Sequence, residues 1–189
     1  HPQIRSRGTI CGSIAHADPA AELPALALAL EAEMTLGSAK GTRSVGAETF
    51  FQSFFTTALA ANEILTEVRF PAPPKDSAWS VLEISRRHGD FAIAGIVAGL
   101  ALDPDRQVIA QARLVYFGVG PTPIRVKAAE DALIGQAAAE PAFEAAAQSA
   151  KQGIDPSNDI HASEEYRRAV VATLTNRALR AALQKLGKN

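Results

Sequence analysis

The chain contains only one cysteine, Cys11, among its 189 residues. It therefore cannot form an internal disulfide, and a lone thiol suits the reducing cytoplasm, where we expect the protein to work. No apolar run is long enough to span a membrane, because glycines interrupt the nearest candidate, residues 91–102. An excess of charge of one sign is also lacking, since 19 Lys and Arg residues face 20 Asp and Glu residues. The near-neutral balance gives no basic surface for nucleic acid or an acidic membrane.

A run of small residues near the start of the chain, Gly8 to Ser13, is its most distinctive local feature. Glycine has no Cβ, so its backbone N–H can approach a ligand closely, and successive outward amides form a cradle for anions. The hydroxyl of Thr9 adds a hydrogen-bonding group, and Glu22 adds a carboxylate for ribose or amino groups. We therefore expect a loop that holds a nucleotide-like ligand. An ordinary turn is the alternative, because glycine and serine also favour turns without any ligand.

The segment matches neither of the two common phosphate-binding motifs. No Lys-Ser or Lys-Thr pair follows the glycines, as a Walker loop requires, and no Gly-x-Gly-x-x-Gly pattern separates a strand from a helix. The chain instead resembles the FAD-binding medium subunit of molybdenum hydroxylases, a family that includes carbon monoxide and xanthine dehydrogenases. The resemblance is carried by Phe50-Phe51 and by IRSRGTICGSIAHADPAAELP (4–24), NEILTEVRFP (62–71), RRHGDFAI (86–93) and DIHASEEYRR (159–168).

This resemblance implies that the chain binds FAD, whereas the molybdenum cofactor and the 2Fe-2S clusters lie in partner subunits. It implies two partners, a molybdopterin-binding large subunit and an iron–sulfur small subunit. The chain would pass electrons from the clusters to an external acceptor, and none of its own residues is expected to be catalytic, because the flavin performs the redox chemistry. The residues that the resemblance assigns to FAD, expected to cluster around one cleft, are Thr9, Ile10, Cys11, Gly12, Ser13, His16, Glu22 and Leu65.

Several of these residues have a plainer interpretation as well. His16 is then a loop histidine with local hydrogen bonds, and Leu65 is a core leucine. Cys11 stands where the family usually has glycine, so we expect its backbone N–H to be used and its thiol to be inert. The charged residues at 86–90 are typical of a solvated turn, although the resemblance places the corresponding loop near the flavin.

The sequence lacks the Ala-Gly-Gly-x-Ser loop that holds the FAD pyrophosphate in the family. The chain is therefore expected to be the C-terminal part of a medium subunit, to be isolated without FAD, and to self-associate through an uncovered apolar patch. A docking fragment that no longer binds FAD is the alternative function. His88 and His161 have no second ligand at metal-binding spacing, so we expect no metal site.

A proline-rich segment, residues 71–77, predicts a linker between two units. We expect residues 1–71 to be the C-terminal portion of the FAD-binding subdomain and residues 75–189 to be the C-terminal domain of the medium subunit. The predicted fold is α+β: a mixed α/β FAD-binding subdomain, then a three-stranded antiparallel sheet with a helical bundle. The predicted helices are 19–30, 47–54, 125–134, 140–151 and 163–186, with Asp18 as N-cap of the first and Ser163 as N-cap of the last. The predicted strands are 33–37, 42–45, 64–70, 78–86, 92–102 and 112–118. A turn is predicted at 103–106.

Overall fold

The computed structural model describes residues 2–87, 89–103, 105 and 108–186. The first part of the chain forms a small sheet and four short helices. A two-residue turn at 39–40 closes a hairpin, and a strand from further along the chain pairs with it in the order β2-β1-β5. The elements are α1 (Pro2–Arg5), α2 (Ile10–His16), α3 (Glu22–Ala29), β1 (Glu33–Ser38), β2 (Gly41–Gly46), α4 (Ala47–Phe50), β3 (Phe51–Ser53), β4 (Thr56–Thr57) and β5 (Ile64–Arg69).

The second part of the chain forms a larger antiparallel sheet with its strands in chain order, β6-β7-β8-β9. Three long strands were predicted and are present, and a fourth, two-residue strand is added at the edge. The elements are β6 (Ser77–Ile84), β7 (Ala94–Leu102), β8 (Ile109–Phe117), β9 (Ile124–Arg125), α5 (Lys127–Asp131), α6 (Glu140–Gln152) and α7 (Glu164–Leu186). The predicted α+β fold class is confirmed.

Helix α7 covers one face of the larger sheet. Its apolar stripe was predicted from the spacing of Val170, Val171, Leu174, Ala178 and Ala182, and all five side chains are buried. The helix packs on β6, β7 and α6, so the sheet and the helices share one large core. Ser163 accepts a hydrogen bond from the backbone N–H of Tyr166 at 3.1 Å, which confirms it as the N-cap.

The other face of the larger sheet packs against a helix from the first part of the chain. Ala25 and Ala29 of α3 form a buried cluster with Val97, Val115 and Phe117. Because the two parts of the chain share this cluster, α3 sits at a fixed position on the sheet. The division at residues 71–75 stays a prediction.

Three local predictions were wrong. Helix α3 begins at Glu22, because the carboxylate of Asp18 accepts a hydrogen bond from Ala20 N–H and forms a turn before the helix. The helix predicted over 47–54 ends at Phe50, where the chain enters the β3–β4 hairpin. Helix α5 is shorter than the predicted 125–134. His88 and part of the turn predicted at 103–106 lie outside the described residues.

The strand predicted at 64–70 is present as β5, but the strict alternation of apolar and polar residues that indicated it is interrupted. The register with β1 shifts between Thr35 and Leu36, so that Thr66 is an extra residue in the ladder. As a result Leu65 and Val68, three residues apart, both pack against the core of the small sheet.

In the described part of the chain, no helix is both long and apolar enough to cross a membrane.

Candidate functional site

The small-residue segment near the start of the chain begins a helix, which corrects the predicted loop. Thr9 has extended backbone angles and acts as N-cap of α2, and its Oγ1 accepts a hydrogen bond from the Gly12 N–H at 2.9 Å. The Gly12 amide therefore faces back into the cap and not outward. The glycine has a local reason, because a Cβ at position 12 would lie 2.8 Å from Thr9 Oγ1.

The first turn of α2 still presents donors at the surface. Ile10 and Cys11 occupy the first two helical positions, whose backbone N–H groups have no acceptor within a helix. No acidic residue lies in this turn. Thr9 is exposed, and within the described part of the chain its Oγ1 acts only as an acceptor, so its hydroxyl hydrogen can donate to a ligand. The turn thus offers a small set of neutral donors to an anion.

The rest of α2 fixes this turn on the protein. Ile14 is fully buried in the core of the small sheet, and α2 packs against β5, β4 and α3. The helix ends where Ala17 takes a left-handed conformation, with φ of 52°. The exposed His16 ring packs against Phe55 in a tilted arrangement, with 5.1 Å between the ring centroids and 44° between the ring planes. His16 therefore has an aromatic partner rather than the local hydrogen bonds expected of a loop histidine.

The remaining predicted site residues take different positions. Ser13 is half-buried within α2, Glu22 is exposed in the first turn of α3, and Leu65 is half-buried on β5 against the core of the small sheet. Two large aliphatic side chains stand in solvent on these elements, and sequence reasoning named Ile10 but missed Ile64. Ile10 is 56% exposed on α2 and Ile64 is 68% exposed on β5. Apolar surface of this kind on two packed elements favours a covering ligand or protein.

The turn that leads into β5 is clamped by an ion pair. Arg43 on β2 binds both carboxylate oxygens of Glu63 at 2.7 Å and also donates to the carbonyl of Ala58. Hydrogen bonds from Arg43 and from the Ala60 N–H lower the pKa of Glu63 to about 2, against an ordinary 4.5. The clamp positions the start of β5, where Ile64 and Leu65 lie.

Glu63→Gln is expected to lower the thermal midpoint at pH 7, because a neutral amide cannot form the two-pronged ion pair with Arg43. A carboxylate with a lowered pKa stabilises the folded state above its unfolded pKa, and this stabilisation is lost as the pH falls through the folded pKa. The difference between wild type and variant should therefore be complete above pH 4.5 and vanish near pH 2. Circular dichroism melts across this range measure it, and a difference that persists at pH 2 contradicts the clamp.

A cleft of about 710 Å³ opens beside the C-terminal end of α2. Four segments far apart in sequence line it, around Pro19, Asp90, Gly118 and Asp159. Phe55, which packs against His16, lines it as well. Three of the segments that carry the family resemblance, 4–24, 86–93 and 159–168, thus meet at one place. The charged turn at 86–90 is part of this wall. The volume lies within the range of small-molecule sites.

Arg167 holds the wall of this cleft, which we name the Arg167 cleft. Its guanidinium donates to the carbonyls of Ile93 and Gly118, the latter at 2.7 Å, and to Asp159 Oδ2 at 2.6 Å. Sequence reasoning gave Arg167 no role. The available signal was its position, because it falls on the apolar stripe of α7, four residues before Val171, where a charged side chain is unusual.

The carboxylate of Asp159 is held in its charged form. Burial raises the pKa of Asp159, but hydrogen bonds from the backbone N–H groups of Ala162 and His161 and from Arg167 outweigh it, so the pKa is lowered. The ion pair with Arg167 is therefore present at neutral pH. It closes one side of the cleft without leaving a net charge there.

Comparison with known proteins decides the family. Residues 1–73 match the FAD binding domain in molybdopterin dehydrogenase, and residues 79–182 match the CO dehydrogenase flavoprotein C-terminal domain. The chain belongs to the FAD-binding medium subunits of molybdenum hydroxylases. The resemblance predicted from the sequence is confirmed, and FAD is the cofactor of this family.

Curated relatives among the medium subunits match almost the whole chain. The chain is 42% identical over 185 residues to the 6-hydroxypseudooxynicotine dehydrogenase complex subunit alpha of Paenarthrobacter nicotinovorans, covering 98% of the chain and 62% of that protein. It is 34% identical to the carbon monoxide dehydrogenase medium chain of Hydrogenophaga pseudoflava, covering 96% and 62%. Among solved structures, quinoline 2-oxidoreductase from Pseudomonas putida 86 matches with a TM-score of 0.92 at 35% identity, covering 98% and 64%. The chain thus spans a little over three fifths of the length of these relatives.

The residues of this chain fit FAD chemically. A dinucleotide needs neutral or positive donors for its phosphates, hydrogen-bonding groups for its sugar and an apolar surface for its ring. The first turn of α2 supplies exposed N–H donors and the Thr9 hydroxyl without an opposing carboxylate. Ile10 and Ile64 supply exposed apolar surface. The donor set therefore suits a dinucleotide, with polar and apolar groups on adjacent elements.

Proposed function

We propose that this chain is the FAD-carrying redox subunit of a molybdenum hydroxylase complex, and that it passes electrons from the iron–sulfur clusters of a partner to an external acceptor. The observation that carries the proposal is the meeting of segments 4–24, 86–93 and 159–168 at the Arg167 cleft. The capped start of α2 lies at one end of this helix and the cleft at the other. Seven helical residues span about 10 Å at roughly 1.5 Å per residue, a distance suited to an extended dinucleotide.

The proposed FAD contacts divide between the two ends of α2. At its start, the amides of Ile10 and Cys11 and the hydroxyls of Thr9 and Ser13 donate to the phosphate and sugar region. The Gly12 contribution is indirect, because this residue permits the Thr9 cap.

Three further residues are proposed to position the remainder of the cofactor. His16, at the end of α2, packs against Phe55 and limits movement on that side. Glu22 offers carboxylate oxygens at the start of α3, and Leu65 offers backbone and part of its side chain on β5.

The bound flavin supplies the electron-carrying chemistry, and the chain supplies binding, orientation and exclusion of water. The ion pair between Arg167 and Asp159 keeps the cleft wall close to neutral. The aromatic side chains Phe54, Phe55 and Phe91 surround the cleft with apolar surface. Such a surface keeps water from the ring end of the site while leaving the cleft open to an acceptor.

We further propose the assembly and location of the protein. Relatives are named as a medium chain or as part of a dehydrogenase complex, which supports a molybdopterin-binding large subunit and an iron–sulfur small subunit as partners. The lone Cys11 supports a cytoplasmic location. The boundary between residues 1–71 and 75–189 is proposed as the border of two functional units, since the family matches end and begin near it.

The composition of the purified complex tests this proposal. A tagged form of the protein, produced in its native host, is expected to co-purify with two other polypeptides, and elemental analysis should find molybdenum and iron in a constant ratio. An untagged preparation is the control. Material that contains partners but neither metal, or a protein that purifies alone, would contradict the proposed complex.

A further inference from the structure

A single guanidinium joins four of the segments that line the Arg167 cleft. Arg167 binds Ile93 at the end of the 86–93 segment, Gly118 after β8 and Asp159 in the loop before α7. The fourth segment is reached through one more hydrogen bond, from Gly118 N–H to the carbonyl of Pro19 at 2.7 Å. These four segments are therefore connected to Arg167 directly or through one residue.

The arrangement depends on the shape of arginine and not only on its charge. Nη1 donates to two backbone carbonyls while Nη2 binds a carboxylate, and the side chain is only 7% exposed. A planar guanidinium presents its donors in a fixed fork, whereas a lysine ammonium is a point charge on a flexible stem. Lysine would keep the positive charge at this position and lose the simultaneous contacts.

The chain also approaches itself very closely at this point. Gly118 has φ of +73°, and a Cβ there would lie 2.9 Å from the carbonyl oxygen of Ala92 and 3.1 Å from that of Ile93. The 86–93 segment and the turn after β8 therefore touch along their backbones. This contact and the two hydrogen bonds from Arg167 hold Ala92 and Ile93, the C-terminal end of the 86–93 segment, against the turn after β8.

We propose that Arg167 is a positioning residue that sets the 86–93 segment, with Arg86, Arg87 and Phe91, over the mouth of the flavin site. The proposal rests on the proposed function for the location of the flavin beside α2. Phe55 links the two places, because it lines the cleft and packs against His16. Arg167 thus controls access to the cofactor without touching it.

Arg168 provides a matched control on the same helix. It too binds two backbone carbonyls, of Lys151 at 2.8 Å and Ile154 at 2.6 Å, and one carboxylate, of Glu164 at 2.9 Å. These contacts hold the end of α6, away from the cleft. Arg167→Lys and Arg168→Lys therefore remove similar bonds, and only the first changes the cleft wall.

The test compares both variants with wild type by hydrogen–deuterium exchange in the full chain. Arg167→Lys is expected to accelerate exchange at residues 86–93 and 118–120 by about tenfold or more, as expected when charge-assisted hydrogen bonds are lost. Tryptic cleavage after Arg86 and Arg87 should accelerate with it. Arg168→Lys should leave both measurements unchanged. Equal acceleration in both variants, or no local change in Arg167→Lys, overturns the proposal.

A second readout separates this proposal from the proposed function. In the FAD-loaded complex, Arg167→Lys should alter the visible circular dichroism of the flavin while Arg168→Lys does not, and an unaltered signal overturns the positioning role. Absence of FAD from the wild-type complex would instead count against the proposed function. The hydrogen–deuterium exchange experiment would still test the role of Arg167 in that case. If Arg167→Lys does not fold, Asp159→Asn takes its place, because it weakens one of the three contacts of the guanidinium. This variant should accelerate exchange at residues 86–93 and 118–120 to a smaller degree. No acceleration there overturns the proposal.

Discussion

Replacement of Leu174 by aspartate is expected to abolish cooperative folding of the larger sheet and its helices. Leu174 is 2% exposed in the core that α7 forms with the sheet. An unpaired carboxylate at this buried position costs about 3–5 kcal/mol. The apolar burial of the Leu174 side chain is lost as well. This is comparable with the whole stability of a domain, about 5–15 kcal/mol. Far-ultraviolet circular dichroism with urea titration measures the effect.

Thr173→Asp is the matched control for this substitution. Thr173 is the preceding residue of the same helix and is exposed, so the same charge enters water there. The control should unfold close to wild type, within about 0.5 kcal/mol. Similar unfolding midpoints for the two variants would contradict the packing of α7 on the sheet and, with it, the delivery of Arg167 to the cleft.

Gly12→Val is expected to reduce FAD affinity by about tenfold or more. A Cβ at position 12 meets Thr9 Oγ1 at 2.8 Å, so valine displaces the cap that orders the first turn of α2. Loss of an N-cap costs about 0.5–2 kcal/mol, and the branched side chain adds bulk to the turn that we propose approaches the cofactor. The apparent Kd from flavin fluorescence quenching in the complete complex measures this change.

Two further variants show whether the Gly12 effect is local. Thr9→Ala removes the cap without adding bulk and should weaken FAD binding to a smaller degree. Gly46→Val is the matched glycine control, because a Cβ at position 46 meets nothing within 4 Å. If Gly46→Val loses as much FAD as Gly12→Val, or if Gly12→Val retains full occupancy, the start of α2 is not where FAD binds.

The sequence predicted the elements whose signals are local and repeated. The stripe from Val170 to Ala182 predicted α7 almost to the residue, since burial of one face repeats along the helix. The strands of the larger sheet followed from apolar runs bounded by turns, and β1–β2 from a hairpin turn. The observed boundaries of the helices and strands differ from the predicted ones by a few residues. The cause is local hydrogen bonds at the ends of the elements, such as the one from the Ala20 N–H to the Asp18 carboxylate.

Features that depend on contacts between distant segments were not accessible from the sequence. The Thr9 cap is the exception, because it is a local contact with Gly12 three residues away, and the glycines suggested a loop instead. The extra residue in β5 is set by its pairing with β1, which shifts the phase at Thr66. Arg167 acquires its role only when the chain brings Ile93, Gly118 and Asp159 together. The sequence therefore predicted the segments that carry the family resemblance, but not how they meet.

The flavin content of the assembled complex tests the central claim most directly. The complex is purified with its partner subunits and denatured in acid, which destroys iron–sulfur clusters and releases non-covalent flavin. The released flavin is quantified by its absorbance at about 450 nm and identified by its mass, since all flavins share the absorbance of the isoalloxazine ring. Our account predicts FAD in a molar amount equal to that of this chain. An assembled complex that contains molybdenum and iron but no FAD would contradict it, and would leave the chain a docking role alone.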